Sequence, residues 1–156
     1  MAQLVVISIE DGFCRSLLEQ FKQYASVPDN SRDALLHQLL QSAVLRVQEF
    51  ADRPIVRTKV QQTVTVPNGS GIVRLYMGGG DIESVTSEDG TELAFDPLPG
   101  GRLQLFRRSG TVTITYTTAP DEGEQARLLP TVFRYATALY DGEDSEVLNK
   151  ILMETF

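Results

Sequence analysis

Gly110-Thr-Val-Thr-Ile-Thr-Tyr-Thr117 opens the stretch that decides the fold, and Leu129-Pro-Thr-Val-Phe-Arg-Tyr-Ala-Thr-Ala-Leu-Tyr-Asp-Gly142 closes it. In the first segment, small polar and large apolar residues alternate strictly, the period of a half-buried strand. Val112, Ile114 and Tyr116 are expected to face a core. The four threonines between and beside them are expected to face solvent or a neighbouring chain. The second segment has helical spacing. Pro130 suits a first helical position, where a missing N–H leaves nothing unsatisfied. Val132, Phe133, Ala136, Leu139 and Tyr140 fall on one face, and Gly142 is a natural C-terminal cap. Between the two segments, Thr118-Ala-Pro-Asp-Glu-Gly-Glu124 reads as an acidic connector.

Upstream of this stretch the period is two. Val60, Val64 and Val66 alternate with Gln61, Thr63 and Thr65, and Pro67-Asn-Gly-Ser-Gly71 reads as a turn. Strands are expected at Val73–Met77, Ile82–Thr86, Thr91–Phe95 and Arg102–Phe106, the middle two joined by an Asp89-Gly90 hairpin. Gly78-Gly-Gly80, Asp96-Pro-Leu-Pro-Gly-Gly101 and Arg107-Arg-Ser-Gly110 punctuate them. The spacing predicts five or six antiparallel strands over about 55–117, as a meander or small barrel-like sheet.

Before the strands come two helices. Leu4 to Ile7 is a short apolar run, followed by Ser8 as a candidate cap with Glu10 and Asp11 at the positive helix end. Phe13, Leu17, Phe21 and Tyr24 then form one stripe, with Cys14, Leu18 and Ala25 beside it. Gly12 weakens the first turn by about 1 kcal/mol relative to alanine. This helix, about 9–25, stops near Ser26 because Pro28 disfavours helical geometry at Val27. After the turn at Pro28-Asp-Asn-Ser31, a helix is expected over about 32–51, with Leu35, Leu36, Leu39, Leu40, Ala43, Val44, Val47 and Phe50 making one wide apolar face. The closing helices fall at about 130–141 and 145–155. Asp144 and Ser145 cap the last, and Val147, Leu148, Ile151, Leu152 and Phe156 form its stripe. The fold class is α+β: a helical bundle core of about four helices carrying a β-rich insert, in a single domain spanning residues 1–156.

The chain has 14 basic and 21 acidic residues, a net charge of −7. Residues 118–156 hold 3 basic and 8 acidic of these, so −5 of the −7 lies there. That balance argues against a domain gripping nucleic acid through a broad basic patch, because neutralising phosphates takes clustered Lys and Arg. One cysteine, Cys14, rules out an intrachain disulfide, and its position on a helix face marks a buried, inert thiol. The N-terminal residues lack the basic n-region of a signal peptide. No apolar run reaches the roughly 20 residues that span a bilayer. The expectation is a soluble chain made in a cytoplasm.

Candidate chemistry is sparse. The glycine triplet lacks the following Lys and helix of a phosphate cradle. Ser87-Glu-Asp-Gly-Thr-Glu92 has three acids but neither EF-hand spacing nor flanking helices, and a hairpin turn explains it. His37 has no second metal-ligand candidate nearby and reads as a rim or surface residue. Arg107-Arg108 reads as a basic spot on a surface turn.

Taken in order, these phrases resemble the small head–tail connector (adaptor, or head-completion) proteins of tailed bacteriophages. Asp33–Phe50 with the Arg53-Pro54 that follows resembles the family's long helix. Ile82-Glu-Ser-Val-Thr86 with Asp89-Gly-Thr91 resembles its central strand and hairpin. Thr111–Thr117 resembles its last strand, and Leu129-Pro130 with Ala136 and Leu139-Tyr140 its Pro-started helix. The resemblance runs from about Ser31 to Phe156; the acidic loop before Pro130 and the long N-terminal helix depart from it.

The resemblance implies a structural virion protein of the phage neck, assembled in the host cytoplasm. It implies a ring of about twelve subunits under the portal, closed by head-to-tail contacts. The ring extends the DNA channel, meets the portal protein and the next neck or tail protein, and lets DNA pass without sequence-specific binding. No membrane partner, catalytic residue, metal or cofactor is implied. Leu148, Ile151, Leu152 and Phe156 are the candidate partner-binding residues, set against packing of the same stripe on its own bundle. Another tail-completion or neck protein, and a small ligand-binding domain or enzyme with a cryptic site, stay open as alternatives.

Overall fold

In the computed structural model, residues 2–66, 69–106 and 109–156 are described, and the side chains of Ala2, Asp11 and Met77 are left aside. The described residues form four α-helices and seven β-strands in two antiparallel sheets, an α+β chain. They divide into two units, one of Met1–Ile9 with Arg57–Ala119 and one of Glu10–Val56 with Pro120–Phe156.

The first unit is the β unit. Its strands are β1 (Ala2–Ile9), β2 (Thr58–Thr65), β3 (Ile72–Arg74), β4 (Gly80–Ser87), β5 (Phe95–Leu98), β6 (Arg102–Leu105) and β7 (Thr111–Thr118). Seven strands replace the expected five or six, and the order β1-β2-β7-β4 beside β3-β6-β5 replaces a simple meander. The added strand is β1. The run Leu4–Ile7 is rich in β-branched residues, which fit a pleated surface, and it pairs antiparallel with β2 from Ala2↔Val64 to Ile9↔Thr58. Ser8 therefore lies in a strand and caps no helix.

β7 sits between β2 and β4 and is the centre of its sheet. Val112, Ile114 and Tyr116 are fully buried, as their alternation predicts, while Thr111, Thr113, Thr115 and Thr117 are half-buried on the other face. Burying each of those apolar side chains is worth about 1.5–3 kcal/mol. They pack with Val60, Val73, Val85, Leu103 and Leu105 into one core.

Two expected strands are shorter or displaced. Of the predicted Val73–Met77 strand only Val73 and Arg74 pair with β6, together with Ile72 before them, and Tyr76–Gly78 is a 3₁₀ turn. The reason is where the backbone bonds go: Leu75 N–H donates to Gly101 C=O (2.7 Å), and Tyr76 N–H donates to the side chains of Gln62 (3.0 Å) and Tyr116 (2.9 Å). The return after Asp89-Gly90 makes only a bridge, Thr86↔Glu92, and the strand begins at Phe95. That strand includes Pro97, read from sequence as part of a turn. Proline is tolerated there because β5 is an edge with a single neighbour, β6. Gly80 needs its missing side chain: a Cβ would lie 1.9 Å from the carbonyl oxygen of Thr117. The expected turn at 67–71 and the Arg107-Arg108 spot fall partly or wholly outside the described residues.

The second unit holds α1 (Asp11–Tyr24), α2 (Asp33–Ala51), α3 (Glu122–Tyr140) and α4 (Ser145–Thr155). α1 packs on α2, α2 on α3, and α3 on α4. Cys14, Leu17, Phe21, Leu36, Leu40, Ala43, Val44, Val47, Leu128, Val132 and Ala136 are buried. α1 begins at Asp11 after Glu10, which makes no side-chain cap. It ends as expected before Pro28, with Ser26 in the left-handed region (φ 58°).

The largest correction concerns α3. It begins at Glu122, and Pro130 lies inside it. Of the residues read as an acidic connector, Thr118 ends β7, Asp121 is the helix cap and Glu122–Glu124 belong to its first turn. Asp121 caps the helix by accepting from Glu124 N–H (3.0 Å), and Glu122 and Glu124 sit at its positive end. The cap, the dipole and the packing of the turn before Pro130, where Leu128 is buried and Gln125 donates to Ile55 C=O, together carry an exposed interior proline. The C-terminal end agrees with expectation: Gly142 (φ 72°) donates to Leu139 C=O, and Glu143 N–H to Ala138 C=O.

Candidate assembly interface

Side chains that a fold leaves uncovered are what it offers to partners. In the helical unit, α4 was expected to present Leu148, Ile151, Leu152 and Phe156. Ile151 and Leu152 are buried in the unit and Leu148 is half-buried. Phe156 is 46% exposed. Its ring packs on Phe50 (centroids 5.6 Å apart), and the Arg127 guanidinium lies 5.9 Å from its centroid. Phe50 is itself 41% exposed, so Phe50, Phe156 and Arg127 form an aromatic patch with a cation beside it. The wide apolar face read on α2 explains part of this: its central residues are core, and its flanks Leu35 and Phe50 stay exposed. On α4, Asp144 caps by accepting from Val147 N–H (3.1 Å). Arg134–Glu154 (2.9 Å) and Thr131–Thr155 (3.2 Å) tie α4 to α3. The stripe is thus held by its buried half and offers its end.

Charge divides sharply between the units. The β unit has 6 basic and 6 acidic residues, so the whole net charge of −7 lies in the helical unit. Lys59–Glu83 (2.9 Å) joins β2 and β4 across β7, and Arg57, just before β2, reaches Asp81 of β4 (3.9 Å). Arg74 and Arg102 stand opposite one another in the β3–β6 register, both exposed. Beyond β6, Phe106 is exposed just before the Arg107-Arg108 pair.

The loops weighed for chemistry are structural. Asp89 accepts from the Ser87 hydroxyl and from Thr91 N–H (3.0 Å). These bonds, the Ser87 one first, hold its carboxyl down to about 2, and it serves the hairpin turn. At the α1–α2 turn, Asp29 accepts from the Ser31 hydroxyl (2.6 Å) and then from Ser31 N–H (3.0 Å), which lower its pKa in that order of size. The glycine triplet forms a turn that runs into β4. Cys14 is buried, and His37 is half-buried on α2. Among the described residues, no group of three or more His, Cys, Asp or Glu is placed to hold a metal. No described helix is long and apolar enough to cross a membrane.

Three buried polar groups escaped sequence reasoning. Gln62 is buried where its strand parity puts it, on the face of Val60 and Val64. It accepts from Tyr116 Oη–H (2.7 Å) and donates to Arg74 C=O (2.9 Å). Gln48, also buried, accepts from Ile55 N–H (2.9 Å) and Val56 N–H (3.3 Å), while Gln125 donates to Ile55 C=O (2.7 Å). Lys22 pairs with Asp33 (2.9 Å) and donates to the Asn30 side-chain oxygen. For Gln62 the signal was available: a polar residue on the apolar parity of a strand.

No family model matches the sequence, and no curated protein matches it. The fold is similar to that of chains in solved gene transfer agent (GTA) particles. In the neck of an empty GTA particle computed with C6 symmetry, the matched chain is 15% identical with a TM-score of 0.68, over 89% of this chain and 84% of that one. A chain of the virion of a native GTA particle matches at 15% identity and a TM-score of 0.67, over 89% and 84% of the two chains. In the neck of a native GTA particle computed with C12 symmetry, the match is 12% identical with a TM-score of 0.62, over 99% and 94%.

Proposed function

We propose that this protein is a structural component of the neck of a tailed-phage-like particle, forming a ring under the portal that extends the DNA channel and joins head to tail. The observation that carries this reading is the similarity of nearly the whole fold to chains of GTA necks. The order of its sequence phrases, which resembles that of head–tail connector proteins, supports the same reading. The four helices serve as a bundle core and the chain acts as one connector domain. Cyclic symmetry in the similar necks supports a closed ring of copies, which we take as twelve. The chain has no catalytic role in this reading. Its partners are further copies of itself, the portal protein and the next neck or tail protein.

The net charge of −7 suits a conduit that DNA slides through, since binding DNA requires cations to neutralise phosphates. The end of α4 docks on the portal or an adjacent subunit, with Phe156 and Leu148 making contact and Ile151 and Leu152 holding the helix in place. Electron microscopy of particles assembled with and without the chain tests the assignment. We expect a ring of density at the neck that is missing, with tails unjoined, when the chain is omitted. Tailed particles that assemble normally without it would overturn the assignment. Phe156→Asp tests the docking end: a folded variant that still enters the neck at the wild-type level sinks that part alone.

A further inference from the structure

The sheet edges of the β unit are not equivalent. β4 is closed along its C-terminal half by its own hairpin return, through Ser87 N–H to Thr91 C=O (2.9 Å) and Leu93 N–H to Val85 C=O (2.8 Å), and it carries the acids Asp81 and Glu83. β5 contains Pro97, and β3 has only three residues. Each has a feature that blunts strand addition. β1 has eight residues, no proline and no charge, and among the described residues it pairs on one side only. Val5, Val6 and Ile7 are 47%, 40% and 49% exposed. A bulge between Val6 and Ser8 leaves Ala2–Val6 as a regular run. An edge of this kind presents unpaired backbone groups and bare apolar side chains together, which is the template for pairing with another strand.

We infer that β1 pairs with β1 of a second copy of this chain, antiparallel, about a two-fold axis. Self-pairing is what the composition of β1 permits. A two-fold contact sets each surface against itself, so any charged residue near the axis would meet a like charge, and β1 has none. Within one copy, no other described edge is long and open enough to receive it. The contact joins two four-stranded sheets into one of eight strands and covers Val5, Val6 and Ile7. It is isologous and closes on itself, so it cannot propagate around a polar ring. The dimer is therefore a form of the free protein. The β1 pairing rests on the edge strand alone; that it belongs to the free protein rests on the proposed ring.

Sedimentation of the full chain over a dilution series tests it. Wild type is expected to reach the mass of two chains, and Val5→Lys/Ile7→Lys to stay at the mass of one with an unchanged circular dichroism spectrum. Wild type that remains a single chain at every concentration, or a folded double-lysine variant that still dimerises, would overturn it. A spin label on Val5→Cys keeps the test decisive if the lysine variant misfolds, because Cys14 is buried and stays unlabelled. Two-fold pairing brings the labels close and broadens the spectrum, whereas a dimer without broadening overturns the β1 contact.

Discussion

Tyr116 shows how much one residue carries in this fold. Its ring is buried in the β core, and its hydroxyl donates to Gln62 and accepts from Tyr76 N–H. Tyr116→Phe leaves Gln62 Oε1 and the Tyr76 N–H with one partner fewer, and we expect a loss of about 1–3 kcal/mol in chemical denaturation. A stability change within error would show that the network contributes nothing net. Gly80→Ala drives a methyl into the Thr117 carbonyl, and a comparable loss of about 1–3 kcal/mol is expected, read in the same way. Asp89 carries a pH signature. Its folded pKa of about 2 lies below the ordinary aspartate value of 3.8, so its contribution to the hairpin is complete above that value and is lost as pH falls through about 2. NMR titration should place its midpoint near the lower value. Ser87→Ala should move it upward, since that hydroxyl is the largest cause.

At the scale of an element, α3 is the sharpest test. If the helix begins at Glu122, Asp121→Ala removes a cap and lowers stability by about 1 kcal/mol. Pro130, exposed in the helix interior, lacks the N–H that would bond to the preceding turn. Pro130→Ala is then expected to raise the thermal midpoint, with up to about 3 kcal/mol available. A helix that began at Pro130 would give the opposite pattern: no effect of Asp121 and no gain on replacing the proline. α4 poses a different problem. Ile151 and Leu152 are core, so deleting Ser145–Phe156 unfolds part of the helical unit and cannot isolate docking. Single changes at the exposed end, such as Phe156→Asp, can.

For the whole molecule, the distribution of charge is the feature with the clearest consequence. All of the net −7 belongs to the helical unit, while the β unit is neutral by count. In a channel-lining role the chain should not retain double-stranded DNA in a gel-shift assay at physiological salt. Tight binding with a steep salt slope would require a clustered basic face and contradict the conduit reading.

Sequence by itself determined the α+β class, the parity of β7, the core face of α2, the caps at Asp144 and Gly142, and the order of phrases that resembles connector proteins. These are periodic or short-range properties, decided by residues within a few positions of one another. Three things were decided only by tertiary structure. β1 became a strand because β2 offered it an edge far away in the chain. The 122–129 segment became helix because capping and packing outweighed a proline whose local signal says "start here". The α4 stripe split into a buried half and an exposed end because α3 covers one side of it. A local pattern marks which side chains are apolar; which of them stay bare for a partner depends on what the rest of the chain brings against them.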